Sequence, residues 1–148
     1  MKIRYLVLML ALAVLMAGAA TYMQSAKAAD SGKKPINFTL TDTAGKQVKL
    51  STYRGKVVVL DIWATWCGYC VSEIPGLIQL QQAAIDNKQD LQFIGISIDR
   101  DHNAVKAFTQ RTRFNYPVVY AEDKVMKLLG FDPSPAVPVK VIFKKTAS

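Results

Sequence analysis

The sequence predicts one α/β domain, a central sheet flanked by helices. Three observations carry that prediction. Residues 57–63 (VVVLDIW) and 91–98 (LQFIGISI) are apolar at nearly every position, the pattern of inner strands covered on both faces. Between them, apolar residues recur at helical spacing from about Cys70 to Ile85. Strands and helices then keep alternating to a last strand at 139–143, a layout that sets helices on a sheet.

Taken in order, residues 36–40 and 48–50 alternate around a turn at Thr43-Ala44-Gly45-Lys46 and predict a β-hairpin. Ser51 is placed to cap a short helical turn through Tyr53-Arg54, which Gly55 ends. The long helix puts Ile74, Leu77, Ile78, Ala84 and Ile85 on one stripe and stops at Asn87. Pro75 lies inside it, removes a backbone bond to Val71 and predicts a kink. Residues 103–110 predict a helix with Val105 and Phe108 inward, 117–120 an extended piece, and 122–129 a short helix ended by Gly130. Pro133, Pro135 and Pro138 exclude helix before the final strand.

The first 28 residues stand apart. Lys2 and Arg4 precede an uncharged run from Tyr5 to Ala20, and Ala26-Lys27-Ala28 offers a small-x-small cleavage site. Residues 1–28 are either a cleaved signal peptide or an N-terminal membrane anchor. Either one sends the remainder across the membrane, to a periplasmic or other extracytoplasmic place. Residues 29–35 are a small, polar tether, and 36–148 form the domain.

Composition narrows the function. Removing Lys2, Arg4 and Lys27 takes the net charge from +8 to +5, and the remaining basic residues are scattered. That describes a solvated surface with no nucleic-acid face, although the charge favours an anionic membrane nearby. Only two cysteines occur in the 148 residues, at 67 and 70. A bridge across two intervening residues closes almost no loop and adds little stability. The pair is therefore kept for chemistry.

Its setting supports that. Cys67-Gly68-Tyr69-Cys70 follows an inner strand and opens a helix, where unpaired backbone N–H groups and the helix dipole favour a thiolate. Cys67 is expected to be exposed and nucleophilic; Cys70, almost a turn later and deeper, resolves a mixed disulfide. Asp61, in the middle of the most apolar strand, is expected to be buried, unpaired and shifted up, ready to exchange a proton with Cys70. Glu73, a turn beyond Cys70, either shares that role or simply complements the dipole. Trp63 and Trp66 flank the motif as packing residues, with substrate contact a second role for Trp66. The chemistry calls for no cofactor and no metal.

The stretch FTLTDTAGKQVKLSTYRGKVVVLDIWATWCGYC resembles the TlpA/ResA/DsbE branch of the thioredoxin-like proteins, and the resemblance runs from Ile36 to Phe143. The step Leu50-Ser51-Thr52-Tyr53-Arg54-Gly55-Lys56 and the run Trp63-Ala64-Thr65-Trp66-Cys67 carry it. The resemblance implies a thioredoxin-like fold and a thiol–disulfide oxidoreductase. Cys67 and Cys70 fall on the redox-active pair, Asp61 on the buried acid of thioredoxins, and Glu73 on the branch's own acid. Pro75 matches a helix-kinking proline. Val137-Pro138 matches the cis-proline step that faces the disulfide and offers its backbone to substrate. The implied partners are protein thiols and disulfides and a membrane thiol–disulfide electron donor. Reduction of protein disulfides, including those of cytochrome c maturation, is the leading activity. Isomerisation or oxidation of exported proteins is the alternative.

Two departures from the branch stand out. Gly68-Tyr69 replaces the proline-containing pairs common between its cysteines, which leaves the direction of electron flow open. The branch also continues past its cis-proline strand with another strand and a closing helix, whereas this sequence ends at Ser148. The comparison predicts a shortened domain, with loss of catalysis and a binding role as one outcome.

Two other functions fit less well. A tetrahedral zinc site needs about four ligands, and the chain offers two cysteines and one histidine, His102, in the polar run 99–103. A peroxiredoxin-type peroxidase shares the general fold but sets its cysteine in a Pro/Thr context that is absent here.

Overall fold

The computed structural model describes residues 36–131 and 135–145. The expected signal or anchor at 1–28, the expected tether at 29–35 and Pro133 lie outside the described residues. Residues 36–148 form a compact unit of their own. Its elements are β1 (Thr39–Thr41), β2 (Gln47–Lys49), a 3-10 turn (Leu50–Tyr53), β3 (Val57–Trp63), α1 (Gly68–Asp86), β4 (Leu91–Ser97), α2 (His102–Thr112), β5 (Val118–Tyr120), α3 (Asp123–Leu128) and β6 (Val139–Phe143).

The main sheet runs β5-β4-β3-β6. Strands β3, β4 and β5 are parallel neighbours, and β6 joins β3 antiparallel. β1 and β2 pair as the expected hairpin. Its turn is closed by Asp42, whose carboxylate accepts from Ala44 N and Lys46 N. Among the described residues β6 is an outer strand of the sheet.

Alternation along β3 divides the core. Val58, Leu60 and Ile62 point to a cluster with Leu40, Val48, Ile94, Ile96 and Val125. Trp63 points the other way, toward Cys70, Ile74 and Leu77 of α1 and Phe93 of β4. Asp61, two residues before Trp63, shares that second face. Both faces of β3 are covered, as its apolar run predicts.

Four local expectations need correction. Ser51 does not cap the turn after β2: Lys49 stands at the cap position with no side-chain bond, and Ser51 N instead donates to Asn37 Oδ1. Ile85, in the last turn of α1, is exposed, and the buried stripe runs through Gln81 and Ala84 instead. Gln81 Oε1 accepts from Phe93 N at 2.8 Å, so a polar residue on the buried stripe is satisfied by the neighbouring strand. His102 begins α2 where a polar loop is expected, and its ring stacks on Tyr120 at 3.8 Å. Finally, α1 starts at Gly68, ahead of the expected Cys70, with Cys67 itself at the cap.

Candidate active site

The end of β3 delivers the motif. Trp63 and Ala64 are fully buried, and the chain then turns out through Thr65 and Trp66 before α1 begins. Asp99, just beyond β4, pins that turn. Its carboxylate accepts from Thr65 N at 2.9 Å, from Thr65 Oγ1, and from Ser97 Oγ at 2.7 Å. The residue two places before Cys67 is thereby held by a buried acid from the adjacent strand.

Cys67 and Cys70 are joined by a disulfide, with Cα atoms 5.3 Å apart. Cys70 N–H donates to Cys67 Sγ at 3.2 Å, so the sulfur caps the helix it opens. This is the arrangement in which unpaired helix N–H groups favour negative charge on sulfur. Cys67 Sγ also lies 3.7 Å from the Val137 carbonyl oxygen. The Val137–Pro138 peptide is cis, and it stands beside the disulfide.

Cys67 is not exposed as expected: it is 8% accessible, and Cys70 2%. The Val137 carbonyl and the helix start cover it together. Trp66 and Tyr69 stand outside this pair, 68% and 82% exposed, and form an aromatic rim. Trp66 also borders a groove with Thr65, Ile98, Arg100, Ala104 and Pro135.

Asp61 is buried, as expected, at 3% exposure. It is not unpaired. β6 sets Lys140 directly opposite it in the antiparallel ladder, and Lys140 Nζ lies 3.2 Å from Asp61 Oδ1. That contact is longer than the one Lys140 makes to Glu73, and its alignment is poorer. Burial pushes the Asp61 carboxyl above the usual carboxylate range; the Lys140 ammonium opposes that shift, and Glu73 adds to it. Glu73 is half-exposed on α1, where its Oε2 accepts from Lys140 Nζ at 2.8 Å. Sequence reasoning placed both acids near Cys70 but missed the lysine between them. A charged residue inside VKVIF was the available signal, and only strand register reveals its partner.

Two further buried polar groups share the Asp61 face. Trp63 Nε1 and the Tyr116 hydroxyl have no hydrogen-bond partner within the described protein. Burial, and then the charge of Asp61, push the Tyr116 hydroxyl well above its ordinary range. Gly95, opposite Asp61 in the parallel ladder, makes room for both rings: a Cβ there would stand 3.1 Å from Trp63 Nε1.

Among the described residues no group of three or more His, Cys, Asp or Glu side chains could hold a metal ion, and no helix is long and apolar enough to cross a membrane.

Comparison with known proteins agrees with this geometry. The AhpC/TSA family model matches residues 31–146. The thiol-disulfide oxidoreductase ResA of Geobacillus kaustophilus is 32% identical over 105 residues, 70% of this chain and 59% of the relative. The ResA of Bacillus subtilis is 34% identical over 104 residues, 70% of this chain and 56% of the relative. The chain thus spans under two thirds of the length of these relatives. Among solved structures, a secreted Mycobacterium tuberculosis disulfide oxidoreductase homologous to E. coli DsbE superposes with a TM-score of 0.62. It is 26% identical, covering 73% of this chain and 76% of that one. A β-hairpin ahead of a mixed sheet, a Cys-x-x-Cys at a helix start and a cis-proline beside it are thus found in a chain that is similar to ResA and to a DsbE homologue and that belongs to the AhpC/TSA family.

Proposed function

We propose that this protein is a thiol–disulfide oxidoreductase acting outside the cytoplasm, with disulfide reduction in other proteins as its main activity. The supporting observation is the Cys67–Cys70 bond closed at a helix start, with a backbone N–H on Cys67 Sγ and the cis Val137–Pro138 peptide alongside.

In the reduced state the Cys67 thiolate attacks one sulfur of a substrate disulfide. That S–S bond breaks, a Cys67–substrate disulfide forms, and the first substrate thiolate leaves and takes up a proton. Cys70 then gives its proton to Asp61, and its thiolate attacks Cys67 Sγ. The mixed disulfide breaks and the Cys67–Cys70 bond forms. The second substrate thiolate leaves and is protonated. The substrate gains two electrons and the enzyme loses two, so an external dithiol must reduce the pair again. A membrane thiol–disulfide donor is the proposed source.

Substrate docks as an extended segment along Val137-Pro138, pairing with the Val137 backbone, with Trp66 at the rim. Glu73 lies too far onto the half-exposed helix surface to replace Asp61, and its role runs through Lys140. Exported proteins are the proposed clients, apocytochrome c thiols among them. Residues 1–28 deliver the domain across the membrane as signal or anchor.

The test is insulin disulfide reduction by the dithiol form. Wild type is expected to turn over and Cys67→Ser to be inactive; equal rates in both would overturn the proposal. The Gly-Tyr pair between the cysteines favours a second reading, isomerisation or oxidation. The reduction potential decides between them: near thioredoxin's value of about −270 mV it supports a reductant, and near DsbA's value of about −120 mV an oxidant.

A further inference from the structure

Three separate elements converge on one ammonium. Asp61 comes from the centre of β3, Lys140 from the facing position of β6, and Glu73 from the second turn of α1. Lys140 Nζ is 2.8 Å from Glu73 Oε2, as a hydrogen bond, and 3.2 Å from Asp61 Oδ1, as an ion contact. The two acids are not equivalent. The Asp61 side chain is 4% exposed and the Glu73 side chain 47%.

We propose that Lys140 is a positioning residue for the dithiol chemistry, held by Glu73 so that a fixed positive charge stands opposite the carboxylate that exchanges the Cys70 proton. The inference deepens the function proposed above and rests on it.

The asymmetry of the two contacts is what makes this work. Lys140 gives its shorter contact, 2.8 Å, to Glu73 at the surface and stands 3.2 Å from Asp61 Oδ1, so the buried acid holds the looser end of the pair. Protonation of Asp61 therefore gives up only the longer of the two Lys140 contacts. When it does, Lys140 keeps its Glu73 partner and stays in place. When it ionises again, the ammonium is already there, and the new charge needs no side-chain rearrangement. Ion pairs with a buried member are weak sources of stability, because desolvation offsets the attraction. A lysine in a strand whose four other residues are apolar is thus better explained by the charge it presents than by stability.

The groups around Asp61 are few. α1 contributes Glu73, β6 contributes Lys140, and the segment before β5 contributes the Tyr116 hydroxyl, while Cys70 packs in the Trp63 cluster on the same face of β3. From β4 the facing residue is Gly95, which carries no charge. Lys140 is the single cation of this set, and it alone among the surrounding charges draws the Asp61 carboxyl downward.

Two substitutions must then act with opposite sign. Lys140→Met removes the charge and keeps the length, so the pH midpoint for resolution of a Cys67 mixed disulfide rises by roughly one unit. Glu73→Gln removes one negative charge and releases the ammonium to Asp61, so the midpoint falls. Lys140→Arg keeps the charge and restores a midpoint near that of wild type. The measurement is single-turnover release of glutathione from the Cys67 mixed disulfide against pH, with a carboxyl NMR titration of Asp61 alongside. Opposite shifts support the proposal. An unmoved midpoint in both variants, or shifts in the same direction, overturns it. Should Lys140→Met fail to fold, Glu73→Gln on the helix surface carries the test alone, with a fall expected and no shift fatal. Inactivity of wild type in the insulin assay would instead strike the underlying function.

Discussion

Two buried aspartates flank the redox pair, and they are used in opposite ways. Asp99 receives donors from Thr65 N, Thr65 Oγ1 and Ser97 Oγ, all within one turn of chain and one neighbouring strand. Asp61 is met by a single ammonium, Lys140 Nζ, 3.2 Å from its Oδ1. Both are under a tenth exposed. Burial therefore does not distinguish them; hydrogen bonding does. A carboxylate whose oxygens are filled by donors fixes geometry. One left with an open lone pair and a nearby charge can trade protons.

The sharpest way to break this contrast is Asp99→Ala. It strands two hydroxyls and a backbone N–H around the turn, so a loss of roughly 2–4 kcal/mol is expected, at about 1–3 kcal/mol per unsatisfied buried group less what water recovers. Urea unfolding reads it, and a loss under about 1 kcal/mol would erase the distinction.

Asp61→Asn should do the reverse and stabilise at neutral pH. The sign follows from the raised carboxyl. As pH climbs past the ordinary carboxylate value of about 3.9, the unfolded chain releases its proton first, and stability falls until the folded carboxyl ionises as well. Asparagine avoids that loss. Its gain in melting temperature should be present at neutral pH and vanish in acid below the ordinary carboxylate range. Resolution of a mixed disulfide should slow by about 100-fold at the same time. A variant that is destabilised at neutral pH would place Asp61 beside Asp99 as a structural acid.

A smaller effect is expected from Gly95→Ala, since the new methyl presses on Trp63 Nε1. A cost of about 1 kcal/mol and a shifted tryptophan emission are the expected signs of overpacking on the Asp61 face. At the bottom of the scale lies Lys145→Ala. Its partner Asp90 is exposed, and solvent screens the pair. The urea midpoint should not move measurably.

Much of the fold was legible because its inner strands are short, apolar runs and its long helix is periodic. Residues 57–63 and 139–143 coincide with β3 and β6, and 91–98 overshoots β4 by one residue. The cysteine pair and Val137-Pro138 were equally plain, since local sequence carries them. What escaped were contacts between distant segments. Lys140 meets Asp61 only through antiparallel register, and Asp99 meets Thr65 only because β3 and β4 are parallel neighbours. Gln81 breaks the expected apolar stripe for the same reason, its partner being an N–H on another strand. Cys67 proved buried because the Val137 loop folds over it, which no local pattern announces.

Cys67 is the cap of α1 and, in the function proposed above, the nucleophile, and its sulfur is the atom that serves both. That gives each knock-out a different meaning. Serine keeps an oxygen of the kind favoured at helix starts, so Cys67→Ser removes the chemistry and spares the architecture. Alanine removes both, with a further cost of about 1 kcal/mol at the head of α1. A substrate that captures the sulfur is likewise attached to the end of a 19-residue helix. The same helix carries Cys70 and Glu73.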